Sequence, residues 1–564
     1  MSYRIFKELL IILLVGCFIG LLMAVVANLF VLGVQSAKVL RESSQLLSVG
    51  LPWGRYSLAP IIFLLLAALA VIGLRRLLRL GAWAGPADSI YAAHNVQHRL
   101  DIKQGAGSTL AAFISAAGGA SVGQYGPVVH FGATVGCALR RVFGNLLSQD
   151  IFLGCGVAAA ISAGFNAPLA GVVFAHEAVL RHFSPRAIAP IFIAAISAST
   201  FDSLFFSSSG TTFQIHQSVP PLVQLAPILL LLGPLAALVA ISFMTALRGA
   251  TALGKHLPLS ANTLPVLAAL ICGSTGVFLP QILGIGIDGI NGMIAGDASL
   301  NLLLALLVGK LVMTALCIGF GLFGGVFSPA LFVGVATGAI VAQLLAGFGI
   351  TGLDEVISVA AMAAVSAAVI GAPISAVLIV LELTGSYGFA VAAMIAVIIS
   401  NLLTHRLFGQ SYFDRQLLDR GIDLRMGRES LALDKSRVGD YVGARYLSVP
   451  DSLTGHELMG RMAEGPFTEA YIVDSEQQLL GKVTVFDSAN AGSEPIASCL
   501  DRNPLCFNES ESLAEVMHKV SRFVGESIPV LAADSRRVLG VVTEGDLFQA
   551  VLQVQNSVRQ LERS

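Results

Sequence analysis

A chain that crosses a bilayer must keep its backbone hydrogen-bonded within helices, yet this one interrupts its apolar runs twice, in the same way. G-Q-Y-G-P-V-V-H-F-G-A-T-V-G from Gly123 aligns with G-V-F-S-P-A-L-F-V-G-V-A-T-G from Gly325. Gly123, Pro127, Gly132 and Gly136 fall on Gly325, Pro329, Gly334 and Gly338 without a gap. Further on, N-A-P-L-A-G-V-V-F-A-H-E from Asn166 aligns with G-A-P-I-S-A-V-L-I-V-L-E from Gly371, matching Ala167, Pro168 and Glu177 to Ala372, Pro373 and Glu382. Two matches in the same order predict two structural halves, about 55–206 and 222–407. Broken helices at corresponding positions of two repeats point to a substrate site near the bilayer midplane.

Composition agrees. Of the 564 residues, 55% are hydrophobic and 12% charged, about half the charged share of an ordinary soluble domain. Apolar segments follow one another near 9–34, 58–74, 108–122, 127–145, 150–165, 168–181, 187–206, 222–248, 263–279, 300–321, 329–348, 356–369, 371–384 and 388–407. Several are too short to cross the roughly 30 Å hydrocarbon layer, as expected of helices that stop inside the membrane against protein or water. The first run is too long for a signal-peptide core. Arg4 and Lys7 before it predict a cytoplasmic N-terminus by the positive-inside rule. The seven cysteines lack metal-binding spacing and are expected to be reduced.

Pro127 suits the first turn of a helix, with G-Q-Y-G leading in. N–H groups there have no partner inside the helix, and the macrodipole is positive at that end. An anion can therefore be held without a buried cationic side chain, and the break at Gly325-Val326-Phe327-Ser328-Pro329 offers the same device from the other half. A plainer reading of each break alone is that its glycines let helices approach closely; the gap-free repetition favours an ion site.

On these residues the membrane region, about 5–425, resembles the CLC family of chloride channels and chloride/proton antiporters. The family's G-K/R-E-G-P motif stands here as Gly123-Gln124-Tyr125-Gly126-Pro127, and its G-x-F-x-P motif as Gly325-Val326-Phe327-Ser328-Pro329. F-N-A-P-L-A-G at 165–171 and L-E-L-T-G at 381–385 are also close to family patterns. The resemblance implies an α-helical polytopic membrane protein with two inverted repeats, assembled as a homodimer with one pore per subunit. It implies chloride held by backbone amides of Val326 and Phe327, and further out by amides of Gly123, Gln124, Tyr125 and Gly126. Neither an enzyme nor a nucleic-acid partner is implied.

The departures from the family pattern carry the functional expectation. Tyr125 stands where the family usually carries the gating glutamate; a phenol, with an ordinary pKa of about 10, stays neutral at physiological pH. Ala178 stands where antiporters tend to have a second glutamate. Ungapped counting puts the family's G-S-G-I-P motif on Trp83-Ala84-Gly85-Pro86-Ala87, with no hydroxyl at Ala84. Phe413 takes the inner tyrosine position within Ser411-Tyr412-Phe413, and a one-residue slip would put Tyr412 there. The expectation is therefore passive chloride conduction through an amide-lined path gated by Tyr125. The alternative is a proton-coupled antiporter with unfamiliar carriers such as His176 or Glu177. Glu177 and Glu382, being repeat-equivalent, are expected to act structurally near helix ends, and His176 and His130 to be packed. An intramembrane protease would need H-E-x-x-H or a nucleophile–histidine pair, and a divalent-cation carrier clustered intramembrane acids; the spans supply neither.

After about residue 425 the chain turns polar, with alternating apolar residues and turn signals. G-K-V-T-V-F-D at 481–487 and G-V-V-T-E-G-D at 540–546 each follow a short strand. The tail resembles a tandem CBS pair: a linker at 426–437, then α/β modules at 438–495 and 496–555. That resemblance implies an adenine nucleotide near Thr484, Asp487, Thr543 and Asp546. The plainer reading is that each Thr caps a helix and each Asp sits in its first turn. With few polar loops, a bacterial inner membrane is expected, with the tail cytoplasmic; no metal is expected.

Overall fold

The computed structural model describes residues 3–563 apart from 45–47, 52–53, 96–99, 144–146, 207–218, 297, 444 and 522, so the end of the predicted 127–145 segment lies outside the described residues. The chain divides into two compact units, Met1–Ile422 and Asp423–Ser564, close to the change of character near residue 425.

The first unit is helical. Its first half runs α1 (Tyr3–Ser43), a hairpin β1–β2 (Ser48–Leu51, Gly54–Ser57), α2 (Ala59–Leu77), α3 (Pro86–His94), α4 (Ile102–Gly118), α5 (Tyr125–Phe143) and α6 (Gln149–Phe165). It continues through α7 (Pro168–Phe174), which widens into a π turn over Ala175–Leu180, to α8 (Pro185–Phe205). The second half runs α9 (Leu222–His256), α10 (Thr263–Phe278), α11 (Ile287–Ile294), α12 (Leu300–Gly319), α13 (Phe327–Gly347) and α14 (Asp354–Ile370). It ends with α15 (Pro373–Thr384), α16 (Tyr387–Leu407) and α17 (Tyr412–Leu418). Seven helices among the described residues are long and apolar enough to cross a membrane. Others are shorter, and α6 and α14 are buried along nearly their whole length.

The sequence repeat becomes a repeat of local structure. α6 ends on Asn166 at φ +50° and α14 on its match Gly371 at φ +80°. Both are left-handed C-caps, a conformation asparagine tolerates in place of glycine. In each half the chain then extends through one alanine, Ala167 or Ala372, and restarts a helix at Pro168 or Pro373. The second pair of motif glycines is a matter of packing. A Cβ on Gly136 would lie 2.0 Å from the Phe152 carbonyl oxygen, and one on Gly132 2.2 Å from that of Gly156. On α13, a Cβ on Gly338 would meet Ser358 Cα at 2.5 Å and one on Gly334 would meet Met362 Cα at 2.6 Å. α5 is thereby pressed onto α6, and α13 onto α14, to backbone contact.

The second unit opens with α18 (Gly427–Lys435) and holds two three-stranded sheets. The first is β3 (Leu447–Val449), β4 (Glu469–Val473) and β5 (Leu479–Thr484), with α19 (Gly455–Ala463) and α20 (Val485–Ala491). The second is β6 (Phe507–Asn508), β7 (Ile528–Leu531) and β8 (Val538–Val542), with α21 (Leu513–Val520) and α22 (Glu544–Arg563). In each sheet the outer pairings are one parallel and one antiparallel. Core packing crosses the division between the two modules. Val438, expected to open the first module, is buried with Phe507, Leu513, Ile528 and Leu547 of the second. Ile496, expected to open the second, packs with Val449, Ala470 and Val483 of the first. The segment that leads into each module completes the core of the other, because Leu513 N–H bonds the Ser436 carbonyl and Lys482 pairs with Asp501 through the backbone.

Candidate functional site

The two interrupted helices are tied together where they begin. Gly123 N–H donates to the Gly325 carbonyl at 2.7 Å and Gly325 N–H to the Gly123 carbonyl at 2.6 Å, an antiparallel bridge between the matched glycines of the two halves. A Cβ on Gly123 would sit 2.9 Å from the Gly325 carbonyl oxygen, so side chains are excluded from this contact. α5 and α13 then start within two residues of the bridge. α3 begins beside them: a Cβ on Gly126 would be 3.2 Å from Gly325 Cα and 3.4 Å from Pro86 Cγ. Backbone N–H groups consequently accumulate at one place. Among the described residues no acceptor meets the N–H of Gln124, Tyr125, Gly126, Val326, Phe327 or Ser328. Gln124 Oε1 and Ser328 Oγ are also buried without a hydrogen-bond partner. Buried polar groups of this kind are costly unless something pairs with them.

Tyr125, the first residue of α5, is 6% exposed. Its ring stacks on Phe165 with centroids 3.9 Å apart and planes at 15°, and meets Phe327 edge-on at 5.4 Å. Phe165 and Phe174 lie 5.2 and 6.4 Å from Phe327. Room for the phenol depends on Gly164, where a Cβ would be 2.8 Å from Tyr125 Cε1. The starts of α5 and α13 thus combine unpartnered backbone donors with a cluster of four aromatic rings, and no carboxylate takes part in those ring contacts. The sequence reading missed Phe165, Phe174 and Gly164; the only signal was their position just before and within the second repeated motif.

A voltage gated chloride channel family model matches residues 77–405, well over half of the chain. The chain belongs to the CLC family. A curated relative, the putative chloride channel protein ClcB-like of Ralstonia nicotianae, is 30% identical over 65% of this chain and 86% of its own length. The fold is that of a slow cyanobacterial Cl−/H+ antiporter (TM-score 0.65, 21% identity, 73% of this chain and 97% of that one). It is also that of a eukaryotic CLC transporter, whose match extends over 95% of this chain and 98% of that one (TM-score 0.63, 17% identity). A CBS domain model matches residues 496–553. This is therefore a CLC membrane protein with a CBS tail.

The other CLC positions expected from the sequence are placed as follows. Ala84 lies just before α3, and its N–H is taken by Ser108 Oγ at 2.9 Å; the Gly85 N–H is taken by Asp88 Oδ2 at 2.8 Å. Phe413 is in the first turn of α17, its ring 5.9 Å from that of Tyr412, whose hydroxyl accepts from Gln416 on the same helix at 3.1 Å. His130 Nδ1 pairs with Ser89 Oγ at 2.8 Å. His176 sits in the π turn with Nδ1 2.8 Å from the His182 carbonyl, its ring stacked on Phe183, and its Nε2 buried without a partner.

Glu177 and Glu382 cap each other's repeats. Glu177 accepts from the N–H groups of Ile374 (2.9 Å) and Ser375 (2.8 Å) at the start of α15. Glu382, on α15, accepts from those of Leu169 (2.9 Å) and Ala170 (2.8 Å) at the start of α7. Each carboxylate satisfies orphan donors and complements a helix dipole, the structural role expected from their repeat-equivalent positions. E177Q and E382Q should each lower membrane-domain stability by about 1–2 kcal/mol with anion selectivity unchanged. Heat-survival by size exclusion, run beside a chloride/nitrate selectivity assay, checks both halves of that statement.

In the tail, Thr484 and Asp487 form a capping box at α20. Thr484 N–H and Oγ1 both donate to Asp487 Oδ2, at 3.1 and 2.6 Å, and Asp487 N–H returns to Thr484 Oγ1. Thr543 and Asp546 repeat this at 3.0 and 2.8 Å. The capping reading of these pairs is what the geometry displays. Oδ1 of each aspartate remains uncommitted among the described residues.

Proposed function

We propose that this CLC protein conducts small anions, chloride by default, passively through the gap between the starts of α5 and α13, with Tyr125 as a neutral gate. The observation that carries the reading is the cluster of six unpartnered N–H groups on residues 124–126 and 326–328, with a phenol, not a carboxylate, as the side chain at position 125. Donors of fixed direction in a dehydrated site favour an anion, and supplied by backbone alone they hold it weakly enough for release. A phenol carries no proton cycle near neutral pH. Glu177 and Glu382 are committed to helix ends, which removes them as free carriers.

The working assembly in this reading is a homodimer in a bacterial inner membrane, with N-terminus and tail cytoplasmic. Arg4 and Lys7, and the bacterial origin of the relative, support that placement. An adenine nucleotide at the CBS pair, using the free oxygens of Asp487 and Asp546, is the proposed regulator.

Chloride efflux from liposomes, with external pH recorded and voltage clamped by potassium and valinomycin, tests conduction. Chloride should leave rapidly with no proton movement when a pH gradient is imposed. Protons driven uphill in fixed ratio to chloride would overturn the channel reading in favour of coupling. The observation that favours that second reading is the unpartnered, buried Nε2 of His176; H176A would then abolish the coupling.

A further inference from the structure

Arg41, on the last turn of α1, is only 6% exposed, and Lys310, in the middle of α12, is fully buried. Lys310 Nζ donates to the carbonyls of Ile282 (3.0 Å) and Gly284 (2.9 Å) and lies over the Phe332 ring. It has no carboxylate partner among the described residues. The Arg41 guanidinium lies against Gly119, where a Cβ would be 2.5 Å from Nη1, and has neither a hydrogen-bond acceptor nor an ion-paired carboxylate among the described residues. Other neighbours are the Glu42 carboxylate and the Cys272 thiol for Arg41, and the thiols of Cys272 and Cys317 for Lys310. The nearby acids are committed elsewhere: Glu42 and Asp288 both pair with Lys38. Two buried cations with no carboxylate in direct contact are expensive.

Beside them is a cavity of about 230 Å³, lined by Lys38, Arg41 and Glu42 of α1 and by residues 284–289, Asp288 among them. Its wall includes the start of α11, where no acceptor meets the N–H of Ile287, Asp288 or Gly289 among the described residues. Gly286, which caps that helix, lies so close to Lys310 that a Cβ on it would be 3.3 Å from Nζ. The cavity abuts the segment leading into α5: Gly284 N–H bonds the Gly119 carbonyl at 3.1 Å, and Ser121 Oγ pairs with Thr314 on α12 at 3.0 Å.

We infer that this cavity is a second anion site, holding a small inorganic anion on the Arg41 guanidinium and the start of α11, with Lys310 fixing its backbone wall. The anion supplies the direct charge partner that neither cation has, Glu42 acting on Arg41 without a hydrogen bond to it. The site also sets positive charge next to residues 119–123, in a chain whose gate segment Gly123–Pro127 carries no charged side chain. Its role as a reservoir for the pathway rests on the conduction reading above; its existence does not.

Anomalous diffraction from crystals of the full-length protein in bromide separates the two. A bromide peak within hydrogen-bonding distance of Arg41 is expected in the wild type and in R41K. In R41Q it should be lost, or need about tenfold more bromide, the loss of one charge-assisted hydrogen bond. No cavity peak in the wild type, or a peak undiminished in R41Q, would overturn the inference. A cavity peak without one beside residues 124–126 and 326–328 would sustain it while counting against the conduction reading.

Discussion

Y125E should turn a pH-indifferent anion flux into one that rises steeply on acidification. In the wild type the side chain at position 125, whose own N–H is one of the six free donors, is a phenol, which keeps its proton throughout the range from pH 5 to 8. Chloride flux should therefore change by less than about twofold across that range. A glutamate at the same point is an anion above its pKa and competes with chloride for the same N–H groups, as any carboxylate does at a helix start. Protonation removes the competitor. For a single blocking group, each pH unit above its pKa cuts the open fraction by about tenfold, so flux in Y125E should rise at least tenfold between pH 7.5 and 5.5. Y125F, which keeps the stack on Phe165 and removes only the hydroxyl, should remain pH-indifferent. A Y125E flux as flat as the wild type would mean that Tyr125 does not stand in the anion's path. Stopped-flow flux across a pH series reads all three.

The largest effect on folding is expected from the packing glycines. G136A and G338A each force a Cβ to within 2.0–2.5 Å of backbone on the neighbouring helix. No rotamer change relieves a clash with backbone, so the helix pair must separate, at a cost of about 3 kcal/mol, the severe end of overpacking. Against a total stability of about 5–15 kcal/mol, either variant should reach the membrane at a small fraction of wild-type yield. The matched control is G249A on α9, where a Cβ meets nothing within 4 Å; exchange of glycine for alanine there should be neutral or stabilising by up to about 1 kcal/mol. Fluorescence-detected size exclusion after detergent extraction distinguishes these outcomes. Equal yields of G136A and G249A would show that α5 and α6 do not approach as described.

Much of this was legible in the sequence because a repeat constrains two places at once. Asn166 and Gly371 share no chemistry beyond tolerance of the left-handed region, yet their alignment located both helix ends. The motif glycines were harder to read. From sequence alone, close packing and an ion site were competing explanations for all of them; in the fold, Gly132, Gly136, Gly334 and Gly338 serve packing while Gly123 and Gly325 form the bridge at the site. A glycine has no side chain to announce which neighbour it admits. The aromatic cover from Phe165 and Phe174 was not legible either, since apolar rings in an apolar chain carry no contrast. In the tail, the exchange of leading segments between modules was hidden because Val438 and Ile496 are simply apolar residues at strand-like spacing, and nothing local says whose core they fill.

The reciprocal bridge between Gly123 and Gly325 has a kinetic consequence. It clamps the starts of α5 and α13 to each other, so opening by drawing those helices apart would first have to break two short backbone hydrogen bonds in a place without water to replace them. A ring swing at Tyr125 breaks none of the backbone frame and needs only the loss of side-chain contacts, its stack with Phe165, its edge contact with Phe327 and its hydrogen bond with the Gln124 side chain. Gating of this kind is a side-chain event with a low barrier and little change in molecular volume. Opening and closing should then be fast, brief and nearly insensitive to hydrostatic pressure, like a shutter turning in a frame that stays still.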